Sequence, residues 1–298
     1  MNHAVSQTLI DRAIINSAIR CATAVCLVML AASAAAAQTP QTAAASDTTE
    51  LTAAKTTKLP SQKAHCSAPR DLVLFKAALP GLERAVAKGR DIDIVALGSS
   101  STAGSGASSP QAAYPARLDA ELDRRFPAKD FHVDNQGAGG QLARDMLERI
   151  HSYIATLQRA PALVIWQTGV NDAMQDVGVA DFAAVLERGI RDLRAAGIDV
   201  VLVDMQYFPR SERVAVYGDY LRVMRQVAEE HKVPLFQRFA IMKHLVKSGQ
   251  HTTDQLLAPD NFHLNDLSYG CLADLMADAI EDKLKAGRVT ASQLQPVR

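Results

Sequence analysis

Four short islands carry the residues best suited to chemistry. The first begins with the apolar run Ile94-Val95-Ala96-Leu97, which stops at Gly98 and passes into Ser99-Ser100-Ser101-Thr102-Ala103-Gly104-Ser105-Gly106. An apolar run bounded in this way reads as a buried strand entering a tight turn. Hydroxyls at the carboxyl end of such a strand stand where open α/β sheets bind ligands, so Ser100 is the candidate nucleophile. The other islands are Asn135-Gln136-Gly137-Ala138-Gly139-Gly140, Gly169-Val170-Asn171-Asp172 and Asp260-Asn261-Phe262-His263. Cleavage of an ester or thioester needs a nucleophile, a base for its proton, and donors where negative charge develops. His263 supplies an imidazole, and Asp260 lies three residues before it, a spacing that a turn can close into a carboxylate–imidazole contact. Gly140 has no side chain to block its N–H, Asn171 offers an amide, and the N–H of Ser100 lies at a helix start. Each residue also has a plainer reading. Ser100 could be a turn or N-cap serine, the glycines could permit a tight turn, Asn171 and Asp172 could cap the turn after the third strand, and Asp260 and His263 could sit in a solvated loop.

Taken in order, the islands resemble the SGNH/GDSL hydrolase family, which is named for a Ser, a Gly, an Asn and a His. The resemblance covers roughly Asp91 to Leu284. It places those residues at Ser100, Gly140, Asn171 and His263, with Asp260 as the third member of a Ser-His-Asp triad. It implies an oxyanion hole formed by the Ser100 N–H, the Gly140 N–H and the Asn171 amide. The sequence departs from the family at the first island, where Gly98-Ser99-Ser100-Ser101 stands in place of Gly-Asp-Ser-Leu. The nucleophile position is kept, while its two neighbours, which shape the turn, are both serine. Ser99 and Ser101 are therefore candidate substrate-side residues. Gln206 and Tyr207 join them at the end of the fourth strand, where they line a pocket if that strand lies beside the third; a buried aromatic holding the loop is the alternative.

Other chemistries find no support. Gly98 to Gly104 is Gly-rich after a strand, but no Lys-Ser/Thr completes a phosphate loop, and there is no G-x-G-x-x-G. Ser100 does not lie in a G-x-S-x-G elbow, which argues against an α/β-hydrolase. His244 and His251 are seven residues apart and read as surface positions, so neither a metal nor a cofactor is expected. A formal net charge of zero gives no basic surface for nucleic acid.

The elements that must position the islands alternate between strand and helix. Strands are expected at Asp91–Leu97, Phe131–Asp134, Ala162–Gln167, Ile198–Met205 and Val233–Phe236. Helical periodicity marks Asp71–Ala78, Leu82–Lys88 beyond a break at Pro80-Gly81, Tyr114–Phe126, Leu142–Leu157, Phe182–Leu193 ending at Gly197, Glu212–Glu230, Phe239–Lys247 and Leu267–Leu284. The strands are continuous apolar runs, which predicts a parallel sheet covered on both faces. The expectation is one flavodoxin-like α/β/α domain with five strands in the order 2-1-3-4-5, whose switch point gathers the loops after strands 1, 2 and 3.

Residues 1–37 read as a secretory signal. Arg12 and Arg20 precede the apolar run Cys21–Leu30, and Ala35-Ala36-Ala37 fits an A-x-A cleavage site. The run is too short and too rich in Ala to span a bilayer readily. Residues 38–65, poor in large apolar side chains, read as a disordered linker, leaving 66–298 as the hydrolase domain. Cys66 and Cys271 remain after cleavage, and two cysteines in an exported chain favour one disulfide closing a loop of about 200 residues; Cys271 also lies on an apolar stripe, so two buried thiols are the alternative. The functional expectation is an exported, periplasmic or secreted serine esterase acting on an O-acetylated glycan, a short-chain ester or a lipid. An O-acyltransferase or a thioesterase could use the same residues, and an inactive glycan-binding module is the reading from another class.

Overall fold

Ile92, Ile94, Val95, Ala96 and Leu97 are all buried, and the strand they form lies inside a sheet. The computed structural model describes residues 66–89, 91–156 and 159–293. The signal at 1–37, the linker at 38–65, Cys21, Cys26 and Leu157 lie outside these residues. Five strands, β1 Asp91–Gly98, β2 Asp130–Gly137, β3 Leu163–Gln167, β4 Asp199–Val203 and β5 Leu235–Phe236, form one all-parallel sheet in the order β2-β1-β3-β4-β5. The crossovers run through helices Tyr114–Arg125, Ala143–Thr156, Val179–Ala195 and Tyr217–Glu230, and helix Asp266–Gln293 closes the chain. The fold expected from the alternating pattern is the fold observed.

Burial explains why the central strands carry no alternation. All five residues of β3 are buried, and Trp166 within it is fully enclosed. Its indole N–H points to the Met146 sulfur at 3.2 Å. Gly189 lets helix Val179–Ala195 close on that ring, because a Cβ there would stand 2.5 Å from it. The same helix ends as expected at Gly197, whose φ of +78° accommodates the reversal, with the Ile198 N–H returning to the Leu193 carbonyl at 3.0 Å.

Several boundaries differ from the sequence expectation. The helix expected over Asp71–Ala78 is only the turn Arg70–Val73. Pro80 disfavours a helical conformation in the residue before it, and Leu79, at φ −123° and ψ 66°, is not helical. Pro80 then starts helix Pro80–Lys88 instead of interrupting one, since its missing N–H costs nothing in a first turn. That helix start is served from elsewhere in the fold, the Asp199 carboxylate accepting the Leu82 N–H at 2.9 Å. The helix expected from Glu212 divides into the short 3₁₀ turn Ser211–Arg213 and Tyr217–Glu230. β2 is longer than its apolar core and carries three further residues, Asn135 to Gly137, to the rim.

Cys66 and Cys271 form a disulfide, with Cα atoms 5.5 Å apart, tying the start of the domain to the last helix. Arg125 ties that helix to Tyr114–Arg125, donating to Asp274 at 2.6 Å and to Glu281 at 3.2 Å and also meeting Asp278. No described helix is long and apolar enough to cross a membrane.

Candidate active site

The site is built at the carboxyl rim of β1, β2 and β3. β1 ends at Gly98, and Ser100 opens the four-residue helix Ser100–Ala103. A Cβ on Gly98 would stand 2.1 Å from the Thr102 Oγ1, and one on Gly137 would stand 2.0 Å from the Ala103 backbone nitrogen. Only glycine lets this short helix sit so close to both strands. Gly104 at φ +100° ends it, its N–H and that of Ser105 both returning to the Ser100 carbonyl, at 3.0 and 2.9 Å.

His263 reaches Ser100 from the far end of the chain. Its Nε2 lies 2.9 Å from the Ser100 Oγ, and its Nδ1 lies 2.6 Å from the Asp260 Oδ2. The other Asp260 oxygen accepts the N–H groups of Phe262 and His263 at 3.0 and 2.9 Å. This tight turn needs Asn261 at φ +55°, a conformation that Asn adopts more readily than most residues. Burial raises the Asp260 pKa, but the hydrogen bonds from His263 and Phe262 outweigh it and hold the carboxyl below the ordinary range. The segment is pinned on both sides: Leu257 bridges Leu264, and the Ala258 N–H donates to the His263 carbonyl at 2.8 Å. Gly106 lies directly against it, since a Cβ there would meet the Leu264 carbonyl at 2.4 Å and the His263 Cβ at 3.1 Å. Asn265 caps the following helix through the Ser268 N–H.

The third and second islands are joined to each other. The Asn171 Nδ2 donates to the Gln141 carbonyl at 2.8 Å, and the buried Asp172 accepts the Ala143 N–H at 3.0 Å. Burial raises the Asp172 pKa against the hydrogen bonds from the backbone, that of Ala143 first. Arg149 braces the same loop, donating to Gln141 at 2.8 Å and to Gln136 at 3.0 Å. Gly140 sits exposed at φ +76° in this loop. The N–H groups of Ser100 and Gly140 and the second hydrogen of the Asn171 amide meet no hydrogen-bond acceptor among the described residues.

The flanking residues are placed differently from expectation. Ser99 and Ser101, expected on the substrate side, are buried, at 4% and 2% exposed. Gln206, at 1%, is also buried, accepting from the Arg238 guanidinium at 3.0 Å. Tyr207 stays half-buried with its ring edge-on to Phe239 at 5.5 Å. His251 is half-buried and lies with Cys66 and Cys271 within 4.8 Å, not on the open surface; with the sulfurs bonded to each other, the group has no thiolate to offer a metal. His244 is likewise half-buried. Sequence reading missed Gln167 and Arg149, and gave no role to Gly106 at the end of the first island. Of these only Gln167 had a visible signal, a polar residue ending an otherwise apolar strand.

The sequence pattern of the Non-GDSL lipase-like family matches residues 65–286, a span that includes all four islands. The chain belongs to this family. The Ser99 and Ser101 departures from Gly-Asp-Ser-Leu are in keeping with the family's name, and the SGNH resemblance holds for the fold. Among solved structures, a two-domain esterase active on acetylated mannans, crystallised with mannopentaose, is similar at 21% identity, with a TM-score of 0.57 over 71% of this chain and 55% of that one. This family member therefore spans little more than half of that esterase. The acetyl xylan esterase AlAXEase is similar at 22% identity and a TM-score of 0.54, over 63% of this chain and 100% of that one. A lipase/acylhydrolase from Enterococcus faecalis is similar at 23% identity and a TM-score of 0.52, over 64% and 96%. No curated protein matches the chain.

Proposed function

We propose that this protein is an exported serine esterase that removes O-acyl groups, acetyl above all, from a glycan. The observation that carries the reading is the unbroken chain from the Ser100 Oγ through His263 to Asp260, at 2.9 and 2.6 Å, beside unclaimed donors. In this reading the His263 Nε2 takes the Ser100 proton as Oγ attacks the ester carbon. Asp260, kept ionised by its donors, holds the Nδ1 proton and stabilises the imidazolium. The negative charge on the carbonyl oxygen falls to Ser100 N–H, Gly140 N–H and Asn171 Nδ2. His263 returns the proton to the leaving alcohol, and the same groups then activate water to release the acid from Ser100.

Two features support the glycan, and a third the export. Relatives in fold include esterases of acetylated mannan and xylan. The oxyanion loop borders open space, since a Cβ on Gly139 or Gly140 would meet nothing within 4 Å, and an open crevice admits a bulky alcohol. The Cys66–Cys271 disulfide and the leader pattern at 1–37 accord with a compartment outside the cytoplasm.

The decisive experiment treats the purified protein with a fluorophosphonate and, separately, with acetylated xylan, acetylated mannan and p-nitrophenyl esters of graded length. The expected result is covalent labelling and acetate release, both abolished in Ser100→Ala. Absence of labelling in the wild type would overturn the esterase reading. Transfer to an added polyol in preference to water would make the enzyme an acyltransferase.

A further inference from the structure

The turn that holds Ser100 contains no carboxylate, because Ser99 occupies the position where the resemblance places Asp. The buried acceptor in this turn comes instead from β3. The Gln167 Oε1 receives the Ser99 N–H at 3.3 Å, the Ser99 hydroxyl at 3.4 Å and the Thr102 hydroxyl at 3.1 Å. Gln167 is 1% exposed, so these bonds form away from water, where a donor left without its acceptor is costly. The backbone N–H of Ser99 can only donate, which fixes the amide with its oxygen toward the turn. Gly98 completes the fit, because a Cβ there would stand 2.9 Å from the same oxygen.

We infer that Gln167 is a positioning residue for the nucleophile: its amide oxygen clamps the residues on either side of Ser100 and so sets the direction in which the Ser100 hydroxyl faces His263. Among the described residues Gln167 is hydrogen-bonded to Ser99 and Thr102 and to neither Ser100 nor His263, so it acts through the turn. It also explains why serine is acceptable at position 99. An Asp there would set a carboxylate against the amide oxygen, two acceptors with no proton between them, whereas a serine hydroxyl can donate. Ser99 and Gln167 are a matched pair, with the acceptor supplied by the strand and the donors by the turn.

This inference rests on Ser100 being the nucleophile, and the test keeps the two apart. Wild type, Gln167→Met and Gln167→Glu are compared for kcat, KM, rate of fluorophosphonate labelling and thermal unfolding. Methionine keeps the shape and removes the acceptor, and glutamate keeps an acceptor oxygen. A displaced nucleophile costs on the order of 10²-fold, so Gln167→Met should lose about that much in kcat and in labelling rate with KM little changed. Gln167→Glu should recover most of the loss. Equal labelling of wild type and Gln167→Met would overturn the clamp while leaving the esterase intact, and no labelling of wild type would overturn both. If Gln167→Met does not fold, Thr102→Val removes one clamped donor from the other side; it should slow labelling about tenfold, and an unchanged rate would again overturn the clamp.

Discussion

In the proposed mechanism Asn171 performs two tasks with one amide. One hydrogen of Nδ2 ties it to the Gln141 carbonyl at 2.8 Å, which orients the group, and the second would serve the developing oxyanion. Removal of one such donor typically costs about 10²–10³ in kcat, or roughly 3–4 kcal/mol. Asn171→Ala is therefore expected to lose kcat on p-nitrophenyl acetate by that factor with KM nearly unchanged, and a variant with full kcat would remove Asn171 from the hole. The chemistry-bearing residues were readable because their types are scarce choices for these tasks. Their neighbours were not: Ser99, Ser101 and Gln206 look like pocket residues by composition, and only the structure shows them buried, at 4%, 2% and 1%.

At the scale of elements, the site depends on how closely two loops approach. The loop after Ser100 and the segment carrying His263 meet at Gly106, where φ is +88° and a Cβ would press on the Leu264 carbonyl at 2.4 Å. Gly106→Ala adds both strain and a clash beside the imidazole. Because Gly106 is exposed, the core should survive while the Ser100–His263 distance grows. The expected outcome is a loss in kcat on the order of 10²-fold with a thermal midpoint close to wild type, measured by ester hydrolysis and calorimetry; unchanged kcat would show that the loops do not need this approach. The strands and most helices were legible because burial on both faces leaves continuous apolar runs. The start of helix Pro80–Lys88 was not, because its acceptor, Asp199, lies more than a hundred residues away on β4.

For the molecule as a whole, one polar group that couples stability to pH is buried Asp204, which follows β4. Its Oδ1 accepts the Phe239 N–H at 2.9 Å, and Arg238 donates to its backbone carbonyl at 2.9 Å. Burial, opposed first by the Phe239 bond and then by Arg238, pushes its pKa up to about 7 from an ordinary value of 3.8. The folded state then holds a proton that the unfolded chain has released, so this group favours folding at low pH and loses that contribution as pH rises from about 4 to about 7. Asp204→Asn keeps the acceptor and removes the ionisation. The difference in unfolding free energy should move in favour of the variant by up to ~1.4 kcal/mol per pH unit across that window, as read by urea denaturation at several pH values. A constant difference would mean that Asp204 stays ionised in the fold throughout. The disulfide belongs to this scale as well, linking positions 205 residues apart and so removing many unfolded conformations.

What the sequence by itself determined was the alternation of apolar strand and amphipathic helix, hence the five-stranded parallel sheet, and the identity of the residues able to attack, accept a proton or donate to an oxyanion. These follow from local rules: a buried strand must be apolar along its length, and few side chains can do this chemistry. Only the tertiary structure decided which of them meet. The contact of Ser100 with His263 spans 163 residues, and the buried acceptor in the turn around Ser100 comes from Gln167 on another strand. Such pairings are set by the order of strands in the sheet and by the space around Gly98, Gly106 and Gly137, which no periodicity records because it exists only once the elements are packed.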